Sequence, residues 1–97
     1  MRIFGSPKQA GRPVTEGRFE LERDGHVGFL NYAYDGEVLE LIHTEVPETL
    51  KGLGVGSELA HAALEWAREH HARVDILCPF VENYVKKHPE YSDLRVR

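Results

Sequence analysis

Lys51-Gly52-Leu53-Gly54-Val55-Gly56-Ser57 is the stretch from which the rest of the sequence can be read. It lies between a strand-like run ending at Val46-Pro47 and a long amphipathic pattern starting near Val55, so the chain must turn sharply and begin a helix. Three glycines at alternate positions clear a short arc of Cβ atoms and let main-chain N–H groups approach a ligand closely. The first N–H groups of the following helix have no partner inside it, and the helix dipole adds partial positive charge where they point. Such an arc suits a phosphate. A Walker loop is excluded, because the lysine precedes the glycines and Glu58 follows Ser57. The dinucleotide fingerprint fails as well. It needs a glycine three residues after Gly54, where Ser57 stands, and the strand ahead of the loop is not the first. The plainer alternative is a turn that only starts a helix, and the flanking patterns weigh against it.

Upstream, alternation begins at Arg18, with Phe19 and Leu21 apolar against Glu20 and Glu22. Asp24-Gly25 supplies a two-residue hairpin signal, His26 to Tyr34 a second strand, Asp35-Gly36 the same signal again, and Glu37 to Val46 a third strand. The pattern predicts a three-stranded antiparallel meander whose third strand, with Val38, Ile42 and Val46 on one face and Leu39 and Leu41 serving the other, is covered on both sides. Residues 1–17, with Gly5, Pro7, Gly11, Pro13 and Gly17, read as an irregular arm that pairs at most as an edge strand.

Downstream, Val55, Leu59, Ala62, Ala63, Trp66 and Ala67 recur at helical spacing, and Glu58, His61, Glu65, Arg68 and Glu69 fall largely opposite. A helix of about 16 residues, roughly 24 Å, ends near His70 or His71. Arg73 to Cys78 is a short apolar strand stopped by Pro79, parallel to its partner through a right-handed crossover. Phe80 to His88 is a short closing helix. The fold class expected is α/β (α+β): a mixed sheet made of the meander and a β-α-β unit, with a C-terminal helix.

Ninety-seven residues make one domain, 1–97, with a modest core. Twelve Lys+Arg against sixteen Asp+Glu give a net charge of −4, which argues against nonspecific nucleic-acid binding. A single cysteine excludes an internal disulfide and a Cys-rich zinc site and fits a reducing compartment. No run approaches the ~20 apolar residues of a membrane span. Without an apolar leader in residues 1–14, the expected location is the cytoplasm.

The pattern of a basic residue, two residues, Gly, one residue, Gly at Lys51, Gly54 and Gly56 resembles the pyrophosphate loop of the GNAT superfamily of N-acetyltransferases, which bind acetyl-CoA. The resemblance spans roughly Glu37 to Tyr91 and includes Val46-Pro47-Glu48 and Asn83-Tyr84-Val85-Lys86-Lys87. The strings His43-Thr44-Glu45-Val46-Pro47, Cys78-Pro79-Phe80 and His88-Pro89-Glu90-Tyr91 are similar, more narrowly, to a group of short single-domain GNAT-like proteins. Two departures stand out. Lys51 replaces the usual Arg or Gln, and no helical segment separates the first two strands, where larger enzymes build their acceptor pocket.

The resemblance implies acetyl-CoA as bound cosubstrate, no metal, and transfer of acetyl to an unidentified amine. It implies that Lys51, Gly52, Leu53, Gly54, Val55, Gly56 and Ser57 hold the pyrophosphate. Thr44, Glu45 and Val46 would support the pantetheine arm with Asn83, and Lys86 and Lys87 would meet the adenosine phosphates. Such transfer needs a neutral amine, donors for a tetrahedral oxyanion and a proton for the departing thiolate. Cys78, before a helix N-terminus, is the leading catalytic candidate as base, proton donor or nucleophile, and its plain alternative is a small buried apolar residue. Tyr84 matches a family general acid but also falls on an apolar stripe. His43 and Glu45, two apart on one strand face, are candidate proton acceptors or simply exposed strand residues. The rival to an enzyme is a non-catalytic CoA-binding module completed by a partner protein.

Overall fold

A computed structural model describes residues 2–4 and 15–96. Along the chain come β1 (Arg2–Phe4), β2 (Thr15–Arg23), β3 (His26–Tyr34), β4 (Val38–Glu45), α1 (Val55–Glu69), β5 (Arg73–Ile76) and α2 (Pro79–Lys87). Short 3-10 turns occupy Glu48–Leu50 and Pro89–Leu94. The strands form one sheet in the order β1-β2-β3-β4-β5, antiparallel except between β4 and β5. The predicted meander, crossover helix, parallel strand and closing helix are all present. β1 adds an edge strand, and β2 begins at Thr15, ahead of the alternation read from Arg18. Residues 5–14 of the expected arm lie outside the described residues. Among the described residues no helix is long and apolar enough to cross a membrane.

The two Asp-Gly pairs turn the chain in different ways. Asp24 and Gly25 both take positive φ, 55° and 81°, and Arg23 pairs directly with His26. That is a two-residue turn whose twist suits the strands it joins. At the second pair, Asp35 Oδ1 accepts from the N–H groups of Glu37 (2.8 Å) and Val38 (2.7 Å). The carboxylate therefore closes a longer link over residues 35–37, and β4 starts at Val38 rather than Glu37.

Register places Phe19 beside Leu30, Tyr32 beside Leu41, Tyr34 beside Leu39 and Leu39 beside Val74, all buried and all on one face. α1 lays Val55, Leu59, Ala63, Leu64 and Ala67 on that face, and α2 adds Val81 and Val85 to the same core. Burying a leucine in this way is worth about 1.5–3 kcal/mol. The apolar stripe of α1 is rotated slightly from the sequence reading: Ala62 is half-buried, whereas Ala60 and Leu64 are fully buried. The start of α1 sits close against β3. A Cβ at Gly28 would stand 2.9 Å from Val55 Cγ1, so only glycine lets the helix approach there.

β3 and β4 fall out of step once. Tyr32 pairs with Leu41 and Asn31 with His43, leaving Ile42 as an extra residue on β4. Side chains alternate with period two, so one extra residue reverses the face taken by every later one. Leu39 and Leu41 point into the core, and past the bulge Thr44, paired with Leu30, takes that side. His43 and Glu45 turn to the opposite face. The reading of this strand as covered on both sides is thereby corrected: Leu39 and Leu41 are buried, but Val38 is half-buried and Ile42 is 39% exposed. The physical reason is that both described helices pack on the same face of the sheet.

The C-terminal segment is fastened by paired polar groups. The Tyr91 hydroxyl donates to Glu65 at 2.5 Å and lies 3.1 Å from His61 Nδ1. Arg68 donates to both carboxylate oxygens of Asp93 (3.0 and 3.2 Å) and to the Glu90 carbonyl. Arg95 makes a two-pronged pair with Glu82 (2.9 and 3.1 Å), and the Val96 N–H reaches the Val74 carbonyl along the outer edge of β5. Burial, then the bond to Glu65, raises the Tyr91 hydroxyl well above the usual phenol range.

Candidate functional site

β4 keeps β3 as a neighbour through Glu45, but its pairing with β5 stops at Leu41–Ile76. The N–H groups of Leu77 and Cys78 both donate to the Leu41 carbonyl (2.9 and 3.0 Å), and Pro79 then starts α2. Past that point the chain leaves the sheet, and the free edge of β4 borders a cleft of about 820 Å³.

The opposite wall is the glycine loop. After the 3-10 turn, Gly52 and Gly54 take φ of 80° and 81°, a region that costs an ordinary L-residue roughly 1–2 kcal/mol. A Cβ at either position would meet no protein atom within 4 Å, so conformation, not crowding, requires glycine there. Gly54 is the N-cap of α1 and has no side chain to cap with. The first intrahelical bond runs from the Glu58 N–H to the Gly54 carbonyl (3.0 Å). The N–H groups of Val55, Gly56 and Ser57 therefore have no acceptor within the helix. Lys51 lies 3.4 Å from Glu48, both exposed, a pairing worth little in water. Arg23, from the first hairpin, donates to the Leu53 carbonyl at 3.4 Å.

Most of the residues singled out from the sequence come together here. Lys51, Gly52, Gly54, Val55, Gly56 and Ser57 line one side of the cleft, and His43, Thr44, Glu45 and Val46 line the other. His43 Nε2 is 3.1 Å from Glu45 Oε1, with both side chains more than half exposed. Thr44 Oγ1 is 3.3 Å from Cys78 Sγ. Cys78 itself is 3% exposed and does not line the cleft. Although it is the N-cap residue of α2, its side chain makes no capping bond.

The structure does not bring the remaining candidates into the cleft. Leu53 is exposed on the outside of the loop, and Asn83, Lys86 and Lys87 are exposed on α2. Tyr84 is half-buried, stacked on His88 at 4.1 Å and 6.3 Å from the Tyr91 ring; burial first, then the carboxylates of Glu90 and Glu65, raise its hydroxyl above the ordinary range. Two lining residues were given no role at the site in the sequence reading. Leu50 is buried under the loop, and Phe80 lies over the first turn of α1, where a Cβ at Gly56 would be 2.8 Å from its ring. An aromatic directly after Pro79 at a helix start was the available clue to Phe80. Among the described residues no three His, Cys, Asp or Glu side chains gather as a metal site requires.

The cleft thus offers uncapped amide donors and a lysine for an anion at one end, and at the other an open strand edge with a hydroxyl, an imidazole and a carboxylate. A family described as GCN5-related N-acetyltransferase matches residues 18–94, and the chain belongs to that family. The protein NATD1 of Gallus gallus is 38% identical over 88 residues, covering 88% of this chain and 80% of that protein. NATD1 of Mus musculus and of Homo sapiens are each 38% identical over 61 residues, which is 62% of this chain and 56% and 54% of those proteins.

Proposed function

We propose that this chain is an acetyl-CoA-dependent N-acetyltransferase that acts on an amine in the cytoplasm. The observation that carries the reading is a single cleft running from an uncapped helix start to the unpaired edge of β4. One end suits a diphosphate and the other a thioester arm. Lys51 and the N–H groups of Val55, Gly56 and Ser57 take the diphosphate, with Gly52 and Gly54 shaping the loop. The edge of β4 at Thr44 to Val46 lies along the pantetheine arm, and Leu50 and Phe80 give it apolar walls. Lys86, Lys87 and Asn83 serve only the outer, adenosine end. His43 and Glu45, on the face of β4 away from the helices, take the proton that the amine loses on attack.

A second reading, a CoA-binding module without chemistry of its own, draws support from the burial of Cys78, the one thiol of the chain. Two measurements separate the readings. Calorimetric titration with acetyl-CoA gives saturable binding to the wild type and at least about tenfold weaker binding to Gly54→Val, because the helix-start donors lose their arrangement. Equal heats from both proteins would overturn the assignment of the loop. Release of free CoA thiol in the presence of simple amines supports the transferase; tight binding with no release supports the module.

A further inference from the structure

Thr44 borders the cleft, Cys78 does not, and their side-chain oxygen and sulfur are 3.3 Å apart. With Cys78 only 3% exposed and its sulfur turned to Thr44 instead of to the start of α2, the thiol communicates with the cleft through that hydroxyl. Resting on the transferase reading above, we propose that Thr44 is the catalytic residue that protonates the departing CoA sulfur, and that Cys78 is a positioning residue that supplies the proton through it.

The amine nitrogen bonds to the thioester carbonyl carbon and gives up its extra proton to the His43–Glu45 side. The carbon–sulfur bond breaks, and its electron pair stays on the CoA sulfur. That sulfur takes the Thr44 Oγ1 proton while Thr44 Oγ1 takes the Cys78 Sγ proton, and the Cys78 thiolate recovers a proton from solvent after CoA leaves. The ultimate donor and acceptor are both thiols, and the hydroxyl exchanges one proton for another without holding charge. A hydroxyl can do this because it donates and accepts at the same atom. The bulge at Ile42 is what makes it possible, since unbroken alternation onward from Leu41 would put His43, not Thr44, on this side of the sheet.

The test follows CoA thiol release from acetyl-CoA with hydroxylamine, an acceptor already neutral at pH 7, together with acetyl-CoA binding by calorimetry. Positioned acid catalysis contributes 10²–10⁴-fold, so Thr44→Val lowers kcat by about 10²-fold and Cys78→Ala by about tenfold, while binding stays within about threefold and reports an intact fold. Thr44→Ser restores kcat to within about threefold, which a packing role for the methyl group would not allow. The double variant is no slower than Thr44→Val, because both residues act in one relay. Wild-type turnover in Thr44→Val, failure of Thr44→Ser to rescue, or effects that multiply in the double variant would each overturn the relay while leaving the transferase standing. A wild type that binds acetyl-CoA yet releases no thiol would instead overturn the transferase reading, and the relay with it.

Discussion

At its N-terminal end, α1 starts from Gly54, which has no side chain to cap it, and the nearest lysine holds only an exposed glutamate at 3.4 Å. Along its C-terminal half, Glu65 and Arg68 grip Tyr91, Asp93 and the Glu90 carbonyl, and the His70 ring bonds back to the Trp66 carbonyl at 2.9 Å. One helix thus carries polar groups its own chain leaves available and polar groups its own chain consumes. The available ones line the cleft, and the consumed ones hold the last segment to the core. Ligand binding and stability are separated along a single element, and substitutions at the two ends should have opposite signatures.

The largest expected effect is at the consumed end. Tyr91 is 4% exposed, so Tyr91→Ala should cost about 3–5 kcal/mol of stability in denaturant melts while leaving acetyl-CoA affinity unchanged. A variant of full stability with weakened affinity would erase the contrast. Gly54→Val is the converse: a left-handed residue at φ 81° costs roughly 1–2 kcal/mol in the same melts, alongside the larger loss of binding predicted above. A melt unchanged from wild type would mean that the loop tolerates other geometries.

Tyr91→Phe sharpens the comparison by removing only the hydroxyl, for about 1 kcal/mol. Folding raises the affinity of that hydroxyl for its proton, so its stabilisation is complete below the ordinary value of 10.0 and is lost as pH rises through the folded value. Thermal melts of the wild type should therefore fall more steeply above pH 10 than those of Tyr91→Phe. The smallest effect is at Glu82, whose carboxyl is lowered chiefly by its hydrogen bond to Arg95. A lowered acid stabilises above its unfolded value of 4.5 and loses that contribution as pH falls through the folded one. Glu82→Gln should cost no more than about 1 kcal/mol at neutral pH and nothing in strong acid, so wild-type and variant melts should converge as pH falls below 4.5.

Much of this fold was legible because its signals are local. Asp24-Gly25 turns as its residue types require, the 3.6-residue period over Val55–Glu69 is a helix, and Pro79 starts α2, although β5 ends at Ile76 and not at the Cys78 read from the sequence. The glycine loop was legible for the same reason, since positive φ at Gly52 and Gly54 is a property of the residues that occupy those positions. What escaped depends on distant partners. The role of Phe80 as a wall depends on Gly56 lying beneath it, and Tyr84 is directed by Tyr91 toward the C-terminal segment.

By itself the sequence determined that a strand, a side-chain-poor bend and a helix follow one another at Val38–Glu69, because turn chemistry and hydrophobic period act over a few residues. The tertiary structure decided which side chains of β4 the bend would face. A strand alternates strictly, so its exposed face is set by register with its neighbours, and the single unpaired Ile42 between β3 and β4 exchanged His43 for Thr44 on the helix side and brought a hydroxyl against the buried sulfur of Cys78.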